Sequence, residues 1–300
     1  MTKKPMKYRR VVTSANKLQY RRYTRSKAGN FFYFAFLILG GLFMVFPLFY
    51  SVITSFKPLD ELLIFPPRFM VSRPTLENYR VLPALLSNLQ VPISRYVYNS
   101  IFIAVVSTFL SVIAASLAAF TFSKSKVKGR KLLFGIVQVM LLYNTYTLAV
   151  PQYLIFSKLH MIDTYWVYIL PAIPSSMSCF LMKQFMDVSI PDALMEAARI
   201  DGAGVLRIYW KIIMPIMKPA WMTVLLFSFQ SMWTIVPSGT IFSEAKKTLP
   251  YVMSTISAGG IARSGSAMAI TVLLMIPPIV VFLFTQSNVL ETMSTSGIKE

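Results

Sequence analysis

The chain has 300 residues, of which 55% are apolar and 14% are charged, and its formal net charge is +19. A soluble globular protein carries about 25% charged residues, so this chain has too little charge to cover a water-facing surface of its size. The composition excludes an ordinary cytosolic enzyme, a disordered tail protein and a secreted disulfide scaffold. The single cysteine, Cys179, cannot form an internal disulfide.

The first 30 residues form a basic tail. Ten Lys or Arg and no acidic residue lie between Lys3 and Lys27, and the sequence becomes apolar at Phe31. A basic run that ends at a long apolar run is typical of a membrane anchor, because polybasic segments are attracted to anionic lipid. We therefore predict membrane lipid, rather than nucleic acid, as the partner of the tail over 1–30.

Six apolar stretches follow, and each is close to or above the roughly 20 residues that cross a hydrocarbon core. We predict transmembrane helices at about 31–56, 100–122, 132–157, 164–182, 219–243 and 267–290. The predicted fold is an all-α polytopic membrane protein with a transmembrane domain over 31–290 and a short tail over 291–300.

The distribution of basic residues predicts the orientation. An even number of spans places both termini on one side, and that side carries 21 of the 30 Lys and Arg residues. We expect both termini in the cytoplasm, with the segments 57–98 and 244–266 on the opposite side.

The second predicted span carries small residues at every fourth position, namely Ser107, Ser111, Ala115 and Ala119. Such a stripe lets helix backbones approach closely, which drives helix association in lipid. We expect it to face neighbouring helices.

No Asp, Glu, Lys or Arg falls inside the six predicted spans. Because ionisable groups in a membrane usually serve function, as in ion-coupled carriers, their absence argues against a self-powered transporter. A carrier stays open as an alternative, since sodium can be held by carbonyls and hydroxyls. The sequence also lacks a Cys or His cluster with metal spacing and a Gly-rich phosphate loop. We predict no catalytic, cofactor-binding or metal-binding residue in this chain.

A polar segment over 187–217 separates the fourth and fifth predicted spans. Ser189, with an Asp three residues later, resembles a capping pattern and predicts an amphipathic helix over about 190–201. Gly202 predicts a sharp turn, and a second helical stretch follows as far as Pro215. We expect two short helices that form a compact knob beside the membrane.

The knob has features of a docking element. Ala197 and Ala198 would keep one surface small enough to enter a cleft of another protein, and Glu196 and Asp201 would place charges at its rim.

These residues resemble a known signature. Glu196-Ala197-Ala198, followed by Gly202, Ile212 and Pro215, is similar to the pattern EAA-x(3)-G-x(9)-I-x-L-P of ABC importer permeases, with Met214 where leucine is usual. The sequences IDTYWVYILPAIP, PQYLIFSKL and SRPTLENYRVL resemble the carbohydrate branch, the permeases similar to the six-span subunit of the maltose system. We call residues 187–217 the EAA segment.

The resemblance implies a mechanism and partners. In that family the EAA segment docks into a groove on a cytoplasmic ATPase, whose closure on ATP moves the spans between inward-facing and outward-facing states. The residues that would couple to the ATPase are Glu196, Ala197, Ala198, Asp201, Gly202, Ile212 and Pro215. The partners would be a homologous permease in a heterodimer, two ATPase subunits that bind ATP and Mg, and an extracytoplasmic solute-binding protein. That protein would contact 57–98 and 244–266, and this chain would be a transport subunit rather than an enzyme.

Two places depart from the family pattern. His160 stands where glycine is usual, and Thr234 to Pro237 follow Trp233 where an Asn and an aromatic are common. Substrate contacts therefore cannot be transferred from the family. Candidates for the translocation path are Asn144, Gln152, Gln230 and Trp233, although each amide equally suits an interhelical hydrogen bond.

The predicted function is the permease subunit of an ATP-driven, binding-protein-dependent importer of sugars, with an oligosaccharide or a polysaccharide fragment as substrate. One alternative is an ion-driven secondary carrier or passive channel that acts without an ATPase. The other is a membrane enzyme or a lipid-binding anchor.

Overall fold

The computed structural model describes residues 27–66, 68–86, 91–143, 145–236 and 239–297. The chain divides into two compact units, Met1–Tyr50 and Ser51–Glu300. The described ranges contain helices and no strand, so the predicted all-α class is confirmed.

Eleven helices of seven or more residues follow one another in the described residues. They are α1 (Lys27–Ser55), α2 (Ile93–Lys124), α3 (Arg130–Met140), α4 (Ala149–Lys158), α5 (Trp166–Ala172), α6 (Ser176–Ser189), α7 (Asp192–Ile200), α8 (Val205–Ile216, with a π-helical turn at Tyr209–Ile213), α9 (Lys218–Trp233), α10 (Leu249–Ser257) and α11 (Ser264–Gly297). Short helical turns lie at Leu59–Leu62, Glu77–Arg80, Leu82–Leu85, Thr145–Leu148, Glu244–Lys246 and Ile261–Arg263.

Within these ranges, three helical stretches are long and apolar enough to cross a membrane. They are Ala28–Ser55, Ile93–Lys124 and Ile261–Val289. Helices α8 and α9 together pass the same test, although the chain bends by 78° between them. The protein is therefore a helical membrane protein with three or four candidate spans, and the count of six stays a prediction.

Two of the predicted spans are divided in the structure. The stretch 132–157 holds α3 and α4, and Pro151 lies in the first turn of α4, where a missing N–H costs no helical hydrogen bond. The stretch 164–182 is divided between α5 and α6. Pro174 lies between these helices, and the Ser175 hydroxyl caps α6 by accepting the N–H of Ser178 at 3.3 Å.

Three other boundaries differ from the prediction. Helix α2 begins at Ile93, directly after Pro92, rather than near 100. Asn99 therefore lies within the helix, and its Nδ2 donates to the carbonyls of Ala245 and Lys247, both at 2.8 Å. Helix α9 ends at Trp233 rather than at 243, and α11 continues past 290 as far as Gly297.

The small-residue stripe of α2 faces the interior. Ser107, Ser111, Ala115 and Ala119 are all buried, which confirms the predicted packing role. Helix α2 packs mainly against α6 and α9. A buried apolar cluster joins these three helices to α7 and α8 near Lys124, the C-terminal end of α2.

A second cluster lies at the opposite end of α2. Tyr96 packs there with Leu249 and Val252 of α10 and with Leu82 and Leu86 from the segment after α1. One helix therefore runs between two separate apolar clusters.

Candidate functional site

The EAA segment is anchored by apolar side chains that point into the protein. Met195 and Ala198 of α7 are 5% and 6% exposed, and they share the cluster near Lys124 with Ile190, Ile208 and Ile213. Positions 195 and 198 are three apart and lie on one helix face, as an amphipathic helix requires. The inner side of the EAA segment is therefore part of the core.

The start of α7 differs from the predicted cap. Ser189 is the last residue of α6, and Pro191 occupies the N-cap position of α7 without a side-chain hydrogen bond. Proline has a fixed φ and no N–H, so it suits a helix start even without a capping oxygen.

The outer side of α7 exposes the remaining residues of the signature. Glu196 and Ala197 are exposed, and Ile200 is 87% exposed. The two alanines therefore have different surroundings, since Ala197 faces outward whereas Ala198 is buried. A small side chain at 198 allows α7 to lie close to the neighbouring helices.

A left-handed glycine ends α7. Gly202 has a φ of 76°, a conformation that costs an L-residue with a Cβ about 1–2 kcal/mol. Its N–H donates to the carbonyl of Arg199, and the N–H of Ala203 donates to the carbonyl of Ala198, both at 3.0 Å. This arrangement satisfies carbonyls of the last turn of α7 and ends the helix in a turn, as the glycine in the sequence predicts.

Helix α8 repeats the two-sided pattern. Ile208, Tyr209 and Ile213 are buried, whereas Leu206 is 72% exposed and Trp210 is 52% exposed. Two further residues of the signature lie in α8: Ile212 is half-buried and Pro215 is exposed. The Tyr209 hydroxyl lies 2.5 Å from Ser116 Oγ, which ties α8 to α2.

Ionic contacts add a further link between the EAA segment and α2. Lys124 Nζ lies 2.8 Å from Asp192 Oδ1, at the first residue of α7. The hydrogen bond from Lys124 and its charge hold the pKa of the Asp192 carboxyl below its ordinary value. Asp187 of α6 accepts from Ser123 Oγ and from Lys183 Nζ, each at 2.5 Å.

The four path candidates have different surroundings. Gln152 lines a cavity of about 430 Å³ together with Tyr153 and Tyr168. Gln230 is exposed, and Asn144 lies outside the described residues. Trp233 is buried, and its indole N–H donates to the carbonyl of Leu274 at 2.9 Å, which places it in the contact between α9 and α11.

At the opposite end of α2, Asp163 joins two segments that are distant in sequence. Its Oδ1 accepts the backbone N–H of Phe242 at 3.2 Å and of Ser243 at 2.9 Å, and its Oδ2 accepts from Ser243 Oγ and from Lys246 Nζ. Burial by itself raises the pKa of the Asp163 carboxyl, but these hydrogen bonds together lower it by more. The resulting pKa is about 2. Sequence reasoning missed this site because the partners lie about 80 residues away.

Asp163 and His160 also have an unusual backbone. Their φ angles are 58° and 53°, in the left-handed region that favours glycine. His160 and Asp163 therefore adopt backbone conformations that glycine most often supplies. In the described residues, no three His, Cys, Asp or Glu side chains come close enough together to hold a metal ion.

These features define a helical membrane protein with a two-sided element at one end of a long central helix. A family model described as "binding-protein-dependent transport system inner membrane component" matches residues 107–291, and the chain belongs to this family. The family's description makes the protein a membrane transport subunit.

Individual relatives cover most of the chain. The arabinooligosaccharides transport system permease protein AraQ of Halalkalibacterium halodurans is 28% identical over 85% of this chain and 91% of its own. The sn-glycerol-3-phosphate transport system permease protein UgpE of Yersinia enterocolitica is 29% identical over 83% and 90%. A crystal structure of a bacterial ABC transporter involved in importing the acidic polysaccharide alginate has the same fold. Its matching chain has a TM-score of 0.73 and 24% identity, and the match covers 88% of this chain and 98% of that one.

Proposed function

We propose that this protein is the permease subunit of an ATP-driven importer of carbohydrates and that the EAA segment docks onto a partner ATPase. The observation that carries the proposal is the two-sided structure of that segment. Its inner side is core, whereas its outer side combines exposed apolar residues, Ile200 and Leu206, with the charges of Glu196 and Asp201. Apolar residues next to charged ones on a protruding element suit a protein partner.

The proposed assembly follows from the family and the basic residues. It contains this chain with six spans and both termini in the cytoplasm, a homologous permease in a heterodimer, two ATPases and an extracytoplasmic binding protein. ATP and Mg would bind the ATPases, and this chain would hold no cofactor. The binding protein would contact 57–98 and 244–266, and the tail over 1–30 would face lipid.

The proposed substrate is an oligosaccharide or a fragment of a polysaccharide. The names of the relatives support this class, since arabinooligosaccharides and alginate are both saccharides. Glycerol 3-phosphate, named for another relative, is a smaller polyol phosphate. Arabinooligosaccharides, alginate and glycerol 3-phosphate all carry several oxygen groups derived from a polyol or a sugar.

The coupling role is tested by replacing the turn glycine. Gly202→Val places a β-branched side chain at a φ of 76°, although an added Cβ would meet nothing within 4 Å. The expected effect is therefore a changed direction of the chain after α7, without a clash. Gly129→Val is the matched control, since Gly129 has a φ of 84°, equally open space and a position outside the EAA segment.

The measurements are membrane insertion, substrate uptake in cells and ATPase activity of the purified complex. Both variants should insert at wild-type levels, because both changes are local. We expect Gly202→Val to lose at least about 90% of uptake. A loss of 1.4 kcal/mol in the free energy of docking onto the ATPase already corresponds to a factor of ten in affinity. Gly129→Val should retain most uptake. Normal uptake by Gly202→Val would remove the coupling role.

Transport without a partner distinguishes the competing function. An ion-driven carrier or channel would move solute when this chain alone is placed in liposomes. The proposed subunit should show no such transport until the partner permease, the ATPases, the binding protein and ATP are added.

A further inference from the structure

A second cavity, the serine cavity, lies between α2, α6 and α9. Its volume is about 430 Å³, within the roughly 300–1,000 Å³ of small-molecule pockets. Six serines line it: Ser107, Ser111, Ser175, Ser178, Ser228 and Ser231. The cavity therefore combines a size that fits a small molecule with an unusually dense set of hydroxyl groups.

Two of these hydroxyls have no protein partner among the described residues. Ser107 and Ser111 are 0% and 1% exposed, and their Oγ atoms are buried without a hydrogen bond. A buried hydroxyl without a partner is costly, so it is normally found bonded to protein or water. On the same helix, Ser116 Oγ pairs with Tyr209, and Thr121 Oγ1 donates to the carbonyl of Leu117. Thr108 Oγ1, next to Ser107, is also buried without a hydrogen bond, although Thr108 does not line the cavity. The unpaired hydroxyls of α2 therefore lie between 107 and 111, and two of the three belong to the cavity lining.

The serine cavity lies next to the cavity that contains Gln152. The two share four lining residues, Pro171, Ala172, Ser231 and Met232. The Gln152 cavity adds an amide and the rings of Tyr153 and Tyr168 to the serine hydroxyls. Hydroxyl and amide groups suit the hydroxyls of a sugar, and aromatic rings provide flat apolar contact for its ring face.

The lining has no charge. None of the described residues that line either cavity is Asp, Glu, Lys, Arg or His. An anion in such a site would lose its hydration without gaining a counter-charge, which is strongly unfavourable. The lining therefore favours a neutral ligand over a sugar acid or a sugar phosphate.

We infer that the two adjacent cavities form a binding site for a neutral saccharide, in which Ser107 and Ser111 donate to or accept from sugar hydroxyls. This inference rests on the proposed function, because it assumes that the transported solute passes through this chain. It adds the charge class of the substrate and two residues that would touch it.

The first test compares neutral with anionic saccharides. Cells that carry the complete transporter are given radiolabelled neutral trisaccharides of glucose, mannose, xylose and arabinose, and also trigalacturonate and trehalose 6-phosphate. We expect uptake of at least one neutral trisaccharide and little uptake of the two anions. ATP-coupled uptake of only the anionic probes would overturn this inference but leave the proposed function standing. Uptake of no probe, without solute-stimulated ATPase activity, would overturn both.

The second test removes the unpaired hydroxyls. The double variant Ser107→Ala/Ser111→Ala should fold, because it deletes buried groups that have no protein partner. We expect the Kd of the purified complex, measured without the binding protein, to rise about tenfold for the transported neutral trisaccharide, which corresponds to the loss of one to two neutral hydrogen bonds. Thr108→Val is the matched control. It deletes a neighbouring unpaired hydroxyl, 5% exposed, that does not line the cavity, and it should leave this Kd unchanged.

An unchanged Kd in the double variant would mean that the serine cavity holds only water. An equal rise of Kd in Thr108→Val would show that the effect comes from helix packing and not from sugar contacts. Either outcome overturns the inference.

Discussion

Three substitutions of Asp163 separate the stability that its side-chain hydrogen bonds provide from the strain of its left-handed backbone. Its Oδ1 accepts two backbone N–H groups, its Oδ2 accepts from Ser243 Oγ and Lys246 Nζ, and its φ is 58°. Asp163→Asn keeps an Oδ1 acceptor and tolerates this φ, so it removes only the charge and the Oδ2 bonds. Asp163→Gly removes all four bonds without backbone strain. Asp163→Ala removes them and adds strain.

The expected magnitudes differ for the three variants. The lowering of the Asp163 pKa from 3.8 to about 2 corresponds to at most ~2.4 kcal/mol, at 1.36 kcal/mol per pKa unit. Because 28% of the side chain is exposed, screening reduces this to about 1–2 kcal/mol for Asp163→Asn. Losing two backbone caps as well brings Asp163→Gly to about 3–4 kcal/mol. Asp163→Ala should cost about 1 kcal/mol more than Asp163→Gly, since left-handed strain outweighs the entropy of glycine.

Amide hydrogen exchange of the 239–247 peptide, measured by mass spectrometry on the purified protein, reports these differences. Asp163→Asn should speed exchange about 5- to 30-fold, because 1.4 kcal/mol is a factor of ten. Exchange should be faster in Asp163→Gly and fastest in Asp163→Ala. Equal effects of Asn and Gly would refute the capping role of Oδ1, and equal effects of Gly and Ala would refute the left-handed backbone.

Further predictions concern the same end of α2 and the contact with α11. The stability that Asp163 contributes should be complete above about pH 4 and lost as the pH falls towards 2, because the pKa of Asp163 is lowered on folding. Thermal unfolding of Asp163→Asn, measured over the same pH range, should lack this decline. His160→Gly should raise the free energy of unfolding by about 0.5–1 kcal/mol, and a lower melting temperature would contradict the left-handed φ of 53°. Asn99→Ala should destabilise by about 2–4 kcal/mol in the same melts, since it leaves two carbonyls and the Tyr165 hydroxyl without this buried partner. Trp233→Phe should cost about 1–2 kcal/mol and leave uptake unchanged, whereas lost uptake at normal stability would place the indole in the path.

Local signals in the sequence predict much of the fold. Apolar runs predict α1, α2 and α11, because helix length and lipid thickness are linked directly. Gly202 predicts the turn after α7, since its conformation depends on its own missing Cβ. The residues of the EAA segment are likewise contiguous, so a pattern of fixed spacing identifies them.

Other features depend on contacts between distant segments. The predicted spans at 132–157 and 164–182 are apolar throughout, so composition alone does not reveal where each divides. The partners of Asp163 lie in a segment that is 80 residues away, and those of Asn99 are nearly 150 away. The different burial of Ala197 and Ala198 depends on how α7 is rotated against α2, α6 and α9.

Helix α2 connects three sites that the proposed function treats separately. Ser116 contacts Tyr209 of the EAA segment, Ser107 and Ser111 border the serine cavity, and Asn99 holds the carbonyls of Ala245 and Lys247. At 1.5 Å per residue, Ser116 and Ser107 are only about 13 Å apart along a continuous helix. If the EAA segment moves with the ATPase, either α2 moves with it and displaces the cavity serines, or the contact between Ser116 and Tyr209 must break. A double-mutant cycle between Ser116→Ala and Tyr209→Phe, measured on uptake, decides between these cases. If α2 moves with the EAA segment, the contact stays intact during transport and the effects of the two substitutions are coupled; if the contact breaks, they are independent.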